Sequence, residues 1–205
     1  GSNWTAVNTG LVGLNFGQAA VSHNYVGDRT LFTASNTGLL YKSTDAGAGW
    51  SKVGNGVSSA DVAGIGFSSA YASDTTMIGA TESGVFRSTD AGATWTAMTT
   101  SLPNTNIGAF ASSPAYPADG TAIVMLTGTG VYRTFSNGLW WESQNTGTTT
   151  ILRSIPRTIA FSPNYASDFL VMLGGGSGAF RSTDGGATWS AANSSITHTD
   201  VASYA

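Results

Sequence analysis

Apolar residues occur along the chain in short runs, and Gly, Pro, Asp or Asn separates one run from the next. Over residues 61–99 the runs are DVAGIGFS, TTMIGATE, GVFRST and TWTAMT. Each run has the length and the β-branched or aromatic content of a strand, and no segment shows the 3.6-residue periodicity of an amphipathic helix. The pattern therefore predicts an all-β protein built from many short strands.

Two sequence elements recur in a common register. The first is a decapeptide: YKSTDAGAGW (41–50), FRSTDAGATW (86–95), YRTFSNGLWW (132–141) and FRSTDGGATW (180–189). The second precedes it in each copy: SHNYVGD (22–28), SSAYASD (68–74), SPAYPAD (113–119) and SPNYASD (162–168). Four strands in each repeat of about 46 residues are typical of a β-propeller blade. A single four-stranded blade cannot bury both of its faces, and radial stacking of blades does.

The terminal Trp of the decapeptide, together with Trp4, sets the boundaries of the repeats. The chain is interpreted as one propeller domain, 1–205, with units at approximately 4–49, 50–94, 95–140 and 141–188 and a partial unit at 189–205. We expect about four complete antiparallel blades, with an unpaired outer strand at one end and an unpaired inner strand at the other. Neighbouring copies could supply the missing partners, as a homo-oligomeric ring or a filament through the terminal strands. The alternative is that the chain is a piece of a longer propeller.

The decapeptide, with the consensus Ser/Thr-x-Asp-x-Gly-x-Thr-Trp, resembles the Asp-box, also called the BNR repeat. The resemblance covers essentially the whole chain. The chain is similar to the Asp-box propellers, which include sialidases, family 74 xyloglucanases, sortilin-type receptors and a photosystem II assembly factor. The resemblance implies a propeller fold and says little about function. It assigns a structural role to Ser43, Asp45, Gly47, Trp50, Ser88, Asp90, Gly92, Trp95, Ser182, Asp184, Gly186 and Trp189.

The residue types of the decapeptide suit a tight hairpin. Its Asp can accept hydrogen bonds from turn amides, and its Gly can adopt a positive φ. Its Trp begins the outer strand and can pack between blades. A calcium loop would need several converging oxygen ligands, whereas each decapeptide offers a single carboxylate, so we predict no metal site.

Composition narrows the function classes. Charged residues make up only 9% of the chain and the net charge is −3, which disfavours a nucleic-acid partner. There is no Cys, and no apolar run is long enough for a membrane span. A weakly charged surface rich in Ser, Thr and Asn favours an exported microbial protein, such as a bacterial one, located outside the cell or on its surface. The sequence indicates no cofactor.

Few ionisable residues lack a role in the repeat. Glycosidase chemistry usually needs two carboxylates that flank the scissile bond, and only Glu82 and Glu142 remain as acids outside the repeat pattern. His23 and His198 lie in different units, away from any nucleophile motif. The segment LRSIPR (152–157) is only faintly similar to the Phe/Tyr-Arg-Ile-Pro motif of sialidases. We therefore predict no catalytic residues.

The third repeat is irregular. Its decapeptide has Ser136 in place of Asp and carries the surplus Trp140, and the following connection, 146–158, is three residues longer than its counterparts. That connection adds Arg153 and Arg157, which could engage a carboxylate or an acidic peptide. Drift in a structural repeat is the competing interpretation, because Asn-Gly also forms a hairpin turn. The candidate ligand-binding residues are Arg153, Arg157 and Trp140.

Three functions remain open on this basis. The first is a non-catalytic propeller, exported or on the cell surface, that binds a protein, peptide or glycan through one face. The second is a purely structural subunit that assembles with copies of itself into a ring or filament. The third is a fragment of a glycoside hydrolase propeller, of the xyloglucanase or sialidase kind.

Overall fold

A computed structural model describes residues 3, 5–12, 15–35, 37–57, 62–148, 156–176, 178–194 and 201. The strands in these ranges form four antiparallel four-stranded sheets, each in chain order from an inner to an outer strand. This confirms the predicted all-β propeller of four blades. The outer strand expected to begin at Trp4 is not found over residues 5–12, which are described and form no strand. Of the inner strand expected at 200–205, only Val201 is described, and its amide donates to the Gly175 carbonyl at 3.1 Å.

The blades have the following elements. Blade 1 contains β1 (Phe16–Val21), α1 (Tyr25–Asp28), β2 (Leu31–Ser35), β3 (Leu40–Ser43) and β4 (Ser51–Val53). Blade 2 contains β5 (Val62–Phe67), α2 (Tyr71–Asp74), β6 (Met77–Thr81), β7 (Gly84–Ser88) and β8 (Thr96–Ala97). Blade 3 contains β9 (Ile107–Ser112), β10 (Ala122–Leu126), β11 (Gly130–Thr134) and β12 (Glu142–Ser143). Blade 4 contains β13 (Pro156–Phe161), α3 (Tyr165–Asp168), β14 (Val171–Gly175), β15 (Gly178–Ser182) and β16 (Ser190–Ala191).

A serine and an aspartate close the connection between the first and second strands of every blade. In blade 1, Ser22 Oγ donates to Asp28 at 2.6 Å, and the other carboxylate oxygen accepts the Thr30 amide at 2.8 Å. The same Ser–Asp pair recurs in the other blades at Ser68–Asp74, Ser113–Asp119 and Ser162–Asp168. The carboxylate thus satisfies amides where the chain reverses between strands.

The decapeptide forms the hairpin between the third and fourth strands. In blade 2, Ser88 Oγ donates to Asp90 at 2.8 Å and accepts the Gly92 amide at 2.9 Å, and Asp90 accepts the Thr94 amide at 2.8 Å. Gly92 has a φ of +84°, which glycine adopts without strain. The residues with the same positions are Ser43, Asp45, Gly47 and Trp50 in blade 1, and Ser182, Asp184, Gly186 and Trp189 in blade 4.

Three apolar cores lie between successive blades, and a hairpin Trp is buried in each. Trp95 packs between blades 1 and 2, Trp141 between blades 2 and 3, and Trp189 between blades 3 and 4. Trp50 is half-buried, and its indole N–H donates to the Val7 carbonyl at 2.9 Å. Because each core draws side chains from two sheets, the blades are stabilised by their neighbours.

Candidate functional site

The innermost strands of all four blades line a central cavity of about 420 Å³. Small residues of β1, β5 and β9, such as Ala19, Gly64 and Ala109, form much of its wall. The volume lies within the range of sites that hold small ligands. The small side chains leave this space open along the propeller axis.

A β-bulge interrupts each innermost strand near its beginning. The register shifts at Gly17 in β1, Ala63 in β5, Gly108 in β9 and Arg157 in β13. Three blades therefore have a small residue at a position where the fourth has a long cation. Arg157 is exposed and is the one charged residue among the described residues that line the central cavity.

The structure separates Trp140 from Arg157, two of the three candidate ligand-binding residues that the sequence grouped together. Arg157, expected in the connection between blades, lies on β13, whereas Arg153 lies outside the described residues. Trp140 is 56% exposed in the hairpin after β11. The end of β11 is in register with the end of β9, so Trp140 and Arg157 lie toward opposite ends of the inner strands. They do not form one site.

A second cavity, of about 490 Å³, lies at the junction of blades 3 and 4, on the side of the decapeptide hairpins. We call it the blade 3–4 groove. It is lined by Ala115, Asp119, Thr121, Arg133, Phe135, Tyr165, Ala166, Phe169, Asp184 and Gly185. Phe135 and Phe169 are each 51% exposed, which is unusual for aromatic side chains of this size. Sequence reasoning missed both, although both interrupt the repeat pattern.

Charge in the groove is divided between a buried cation and accessible carboxylates. Arg133 is 7% exposed; its Nη1 donates to the Gly185 carbonyl at 2.7 Å, and burial lowers its pKa. Burial opposes ionisation of Asp184, but hydrogen bonds from Ser182, Thr188 and the turn amides outweigh it and lower the pKa of Asp184 to about 2. Asp184 is therefore a carboxylate at neutral pH.

The other ionisable residues lie apart from both cavities. Glu82 is in the exposed turn between β6 and β7, and Glu142 is on the outer strand β12, opposite Arg133. His23 is exposed, with Nδ1 3.0 Å from the Ser68 carbonyl oxygen, and His198 lies outside the described residues. Over the described ranges, no three His, Asp or Glu side chains converge in an arrangement that could hold a metal ion. Likewise, no helix there is long and apolar enough to cross a membrane.

Comparison with known proteins places the chain in a family. A profile of the DUF6242 beta propeller domain matches residues 1–203. The chain belongs to this family. No curated protein sequence matches it.

Solved structures of low sequence identity share the fold. An ancestral GH74 enzyme superimposes with a TM-score of 0.72 at 20% identity, over 92% of this chain and 25% of the enzyme. YCF48 bound to D1 peptide gives a TM-score of 0.54 at 18% identity, over 82% of this chain and 50% of YCF48. The GH74 xyloglucanase from Xanthomonas campestris gives 0.59 at 20% identity, over 85% of this chain and 24% of the enzyme. The chain thus spans half or less of the length of these structures.

Proposed function

We propose that this DUF6242 propeller is a non-catalytic scaffold, exported or on the cell surface, that binds a protein, peptide or glycan at the central cavity. Arg157 contacts a carboxylate of the ligand. The observation that carries the proposal is the position of Arg157: it occupies the bulge that Gly17, Ala63 and Gly108 occupy in the other blades.

A bulge residue is well suited to ligand contact. A bulge bends its strand and can re-aim a side chain, and bulges are over-represented next to active sites. The planar guanidinium of Arg157 can donate two parallel hydrogen bonds to a carboxylate. The small residues around it, such as Ala63 and Gly64, leave room for the rest of the ligand.

The ligand classes are consistent with the structural neighbours. YCF48 has a structure in complex with a peptide, and the GH74 neighbours include a xyloglucanase. A propeller of this fold can therefore present a surface to a peptide or to a polysaccharide. In this chain the uncommitted acids, Glu82 and Glu142, lie in a turn and on an outer strand rather than at the central cavity, which favours binding over hydrolysis.

The proposal is tested by binding assays with carboxylate and neutral probes. We would titrate the protein with fluorescent peptides that have a free or an amidated C-terminus, and with uronic-acid or neutral oligosaccharides. Arg157→Gly, which installs the residue of β1 and β9, should reduce binding of the carboxylate probes at least tenfold. The double variant with Arg153→Ala should abolish it.

Arg29→Ala is the matched control, because Arg29 is an exposed Arg in the connection after β1. It should leave the affinity unchanged. Equal affinity of the Arg157 variant and the wild type for every carboxylate probe would contradict the assignment. Turnover of chromogenic glycosides would contradict the non-catalytic part of the proposal.

A further inference from the structure

The blade 3–4 groove differs from the equivalent junctions of the same chain at two positions. The first follows the third strand and is Thr44, Thr89 and Thr183 in blades 1, 2 and 4, but Phe135 in blade 3. The second follows the first connection and is Arg29, Thr75 and Gly120 in blades 1, 2 and 3, but Phe169 in blade 4. The two replacements come from different blades, yet both phenyl rings line one groove.

The backbone does not explain Phe169. Its position has a left-handed φ in all four blades, between +49° and +64°, and glycine adopts this conformation most easily. A bulky aromatic residue there gains nothing for the turn, and its ring remains half exposed. The reason for Phe169 therefore lies in what its side chain can contact.

Both rings rest on rigid supports. The guanidinium of Arg133 lies 4.0 Å from the centroid of the Phe135 ring, a cation–π contact, and Tyr165 meets Phe169 edge to face at 6.0 Å. Arg133 and Tyr165 also donate to the same carbonyl, that of Gly185, at 2.7 and 3.3 Å. Because the supports are fixed before binding, little side-chain entropy is lost when a partner covers the rings.

Charge complementarity identifies the partner. Arg133 is buried beneath Phe135, so the accessible charges of the groove are the carboxylates of Asp119 and Asp184. A carboxylate has about four acceptor sites. Asp119 accepts only two hydrogen bonds from its turn, so acceptor capacity remains there. Asp184 already accepts four from its own turn and contributes its negative charge to the groove. Aromatic faces next to carboxylates suit a Lys or Arg side chain, whose alkyl stem packs on the rings while its head meets the acids.

We propose that the blade 3–4 groove is a docking site for a segment of a partner protein that presents a basic side chain between apolar ones. The apolar neighbours would meet the hairpin that continues from Phe135, where Leu139 and Trp140 are also exposed. Aromatic residues, Phe among them, are enriched at the cores of protein–protein interfaces. This site is separate from the central cavity and independent of the function proposed above.

The test compares capped peptides that differ in one residue. Fluorescent acetyl-Leu-Arg-Leu-amide and its Lys version are titrated against the full chain, beside the Gln and Glu versions. We expect the two basic peptides to bind at least tenfold more tightly than the Gln peptide, and the Glu peptide to bind most weakly. The preference for the basic peptides should shrink as the salt concentration rises.

The chain supplies matched variants that its own repeats show to be compatible with the fold. Phe135→Thr and Phe169→Thr install residues found at the equivalent positions, and each should reduce affinity for the Arg peptide at least tenfold. Thr89→Ser, at the equivalent position of blade 2, and Arg157→Gly, at the central cavity, should leave it unchanged.

Three results would overturn the proposal: no binding of the basic peptides, equal binding of the Glu peptide, or unchanged affinity in both Phe variants. Capture by anionic lipid vesicles or by neutral oligosaccharides, lost in the Phe variants while the peptides do not bind, would assign the groove to a different class of partner.

Discussion

Asp90 offers a direct measure of what a decapeptide carboxylate contributes to stability. It accepts hydrogen bonds from Ser88 Oγ at 2.8 Å, from the Thr94 amide at 2.8 Å and from Thr94 Oγ1 at 2.6 Å. Net contributions of about 0.5–1.5 kcal/mol per hydrogen bond apply, and the lower part of that range holds here because the hairpin is exposed. Asp90→Ala should therefore lower the free energy of unfolding by about 1–3 kcal/mol.

The hairpin of blade 3 shows what a serine can do at this position, between the effects of Asp and Ala. Ser136 stands at the Asp position, and its Oγ accepts the Trp140 amide at 2.9 Å, so a serine can satisfy the same turn amide. Asp90→Ser should consequently cost about half as much as Asp90→Ala, roughly 0.5–1.5 kcal/mol.

Urea denaturation, with m-values compared among the variants, measures these differences in the free energy of unfolding. In thermal melts, each kcal/mol should shift Tm by about 2–4 °C. Two outcomes would refute the reasoning. If Asp90→Ser costs as much as Asp90→Ala, acceptance of the turn amide contributes nothing to stability. If Asp90→Ala is neutral, the carboxylate does not stabilise the hairpin at all.

Two further predictions concern acid stability and burial. The pKa of Asp184 is lowered to about 2 in the folded chain, so its contribution is present above the unfolded value near 3.8 and is lost as the pH falls from about 4 toward 2. Tm should therefore fall over this pH window, and less steeply in Asp184→Asn. Parallel curves of Tm against pH for the variant and the wild type would show that ionised Asp184 does not contribute to acid stability. Trp141, 2% exposed, and its neighbour Trp140 form a matched pair. Trp141→Ala should cost about 3–5 kcal/mol and Trp140→Ala less than about 0.5 kcal/mol in urea melts, and equal losses would contradict the burial assigned to them.

The fold could be predicted from the sequence because two repeated elements fix the register of every blade. Residues 61–99 show this: β5, β6, β7 and β8 each lie within one of the four predicted runs. Strand pairing in a blade is local, so spacing along the chain determines which strands meet. The Ser–Asp pair of the first connection was also present in the sequence, since Ser precedes Asp by six residues in every copy, but its hydrogen bond became evident only in the structure.

The candidate sites could be predicted less well, because they depend on contacts between repeats. Trp140 and Arg157 are 17 residues apart in the chain, yet they lie toward opposite ends of the inner strands. Phe135 and Phe169 are farther apart in sequence and line one groove. A comparison of each repeat position with its counterparts would have found both Phe residues, but only the packing of blade 3 against blade 4 shows that they meet.

The bulge near the start of each innermost strand has a consequence for how such domains diverge. Each innermost strand pairs with one strand only, and its bulge bends it at the axial opening, so the opening offers one variable position per blade. Gly, Ala, Gly and Arg at these sites in a single chain show that exchanges of very different size and charge are tolerated. One substitution there can therefore change the size and charge of the axial opening while the scaffold stays intact.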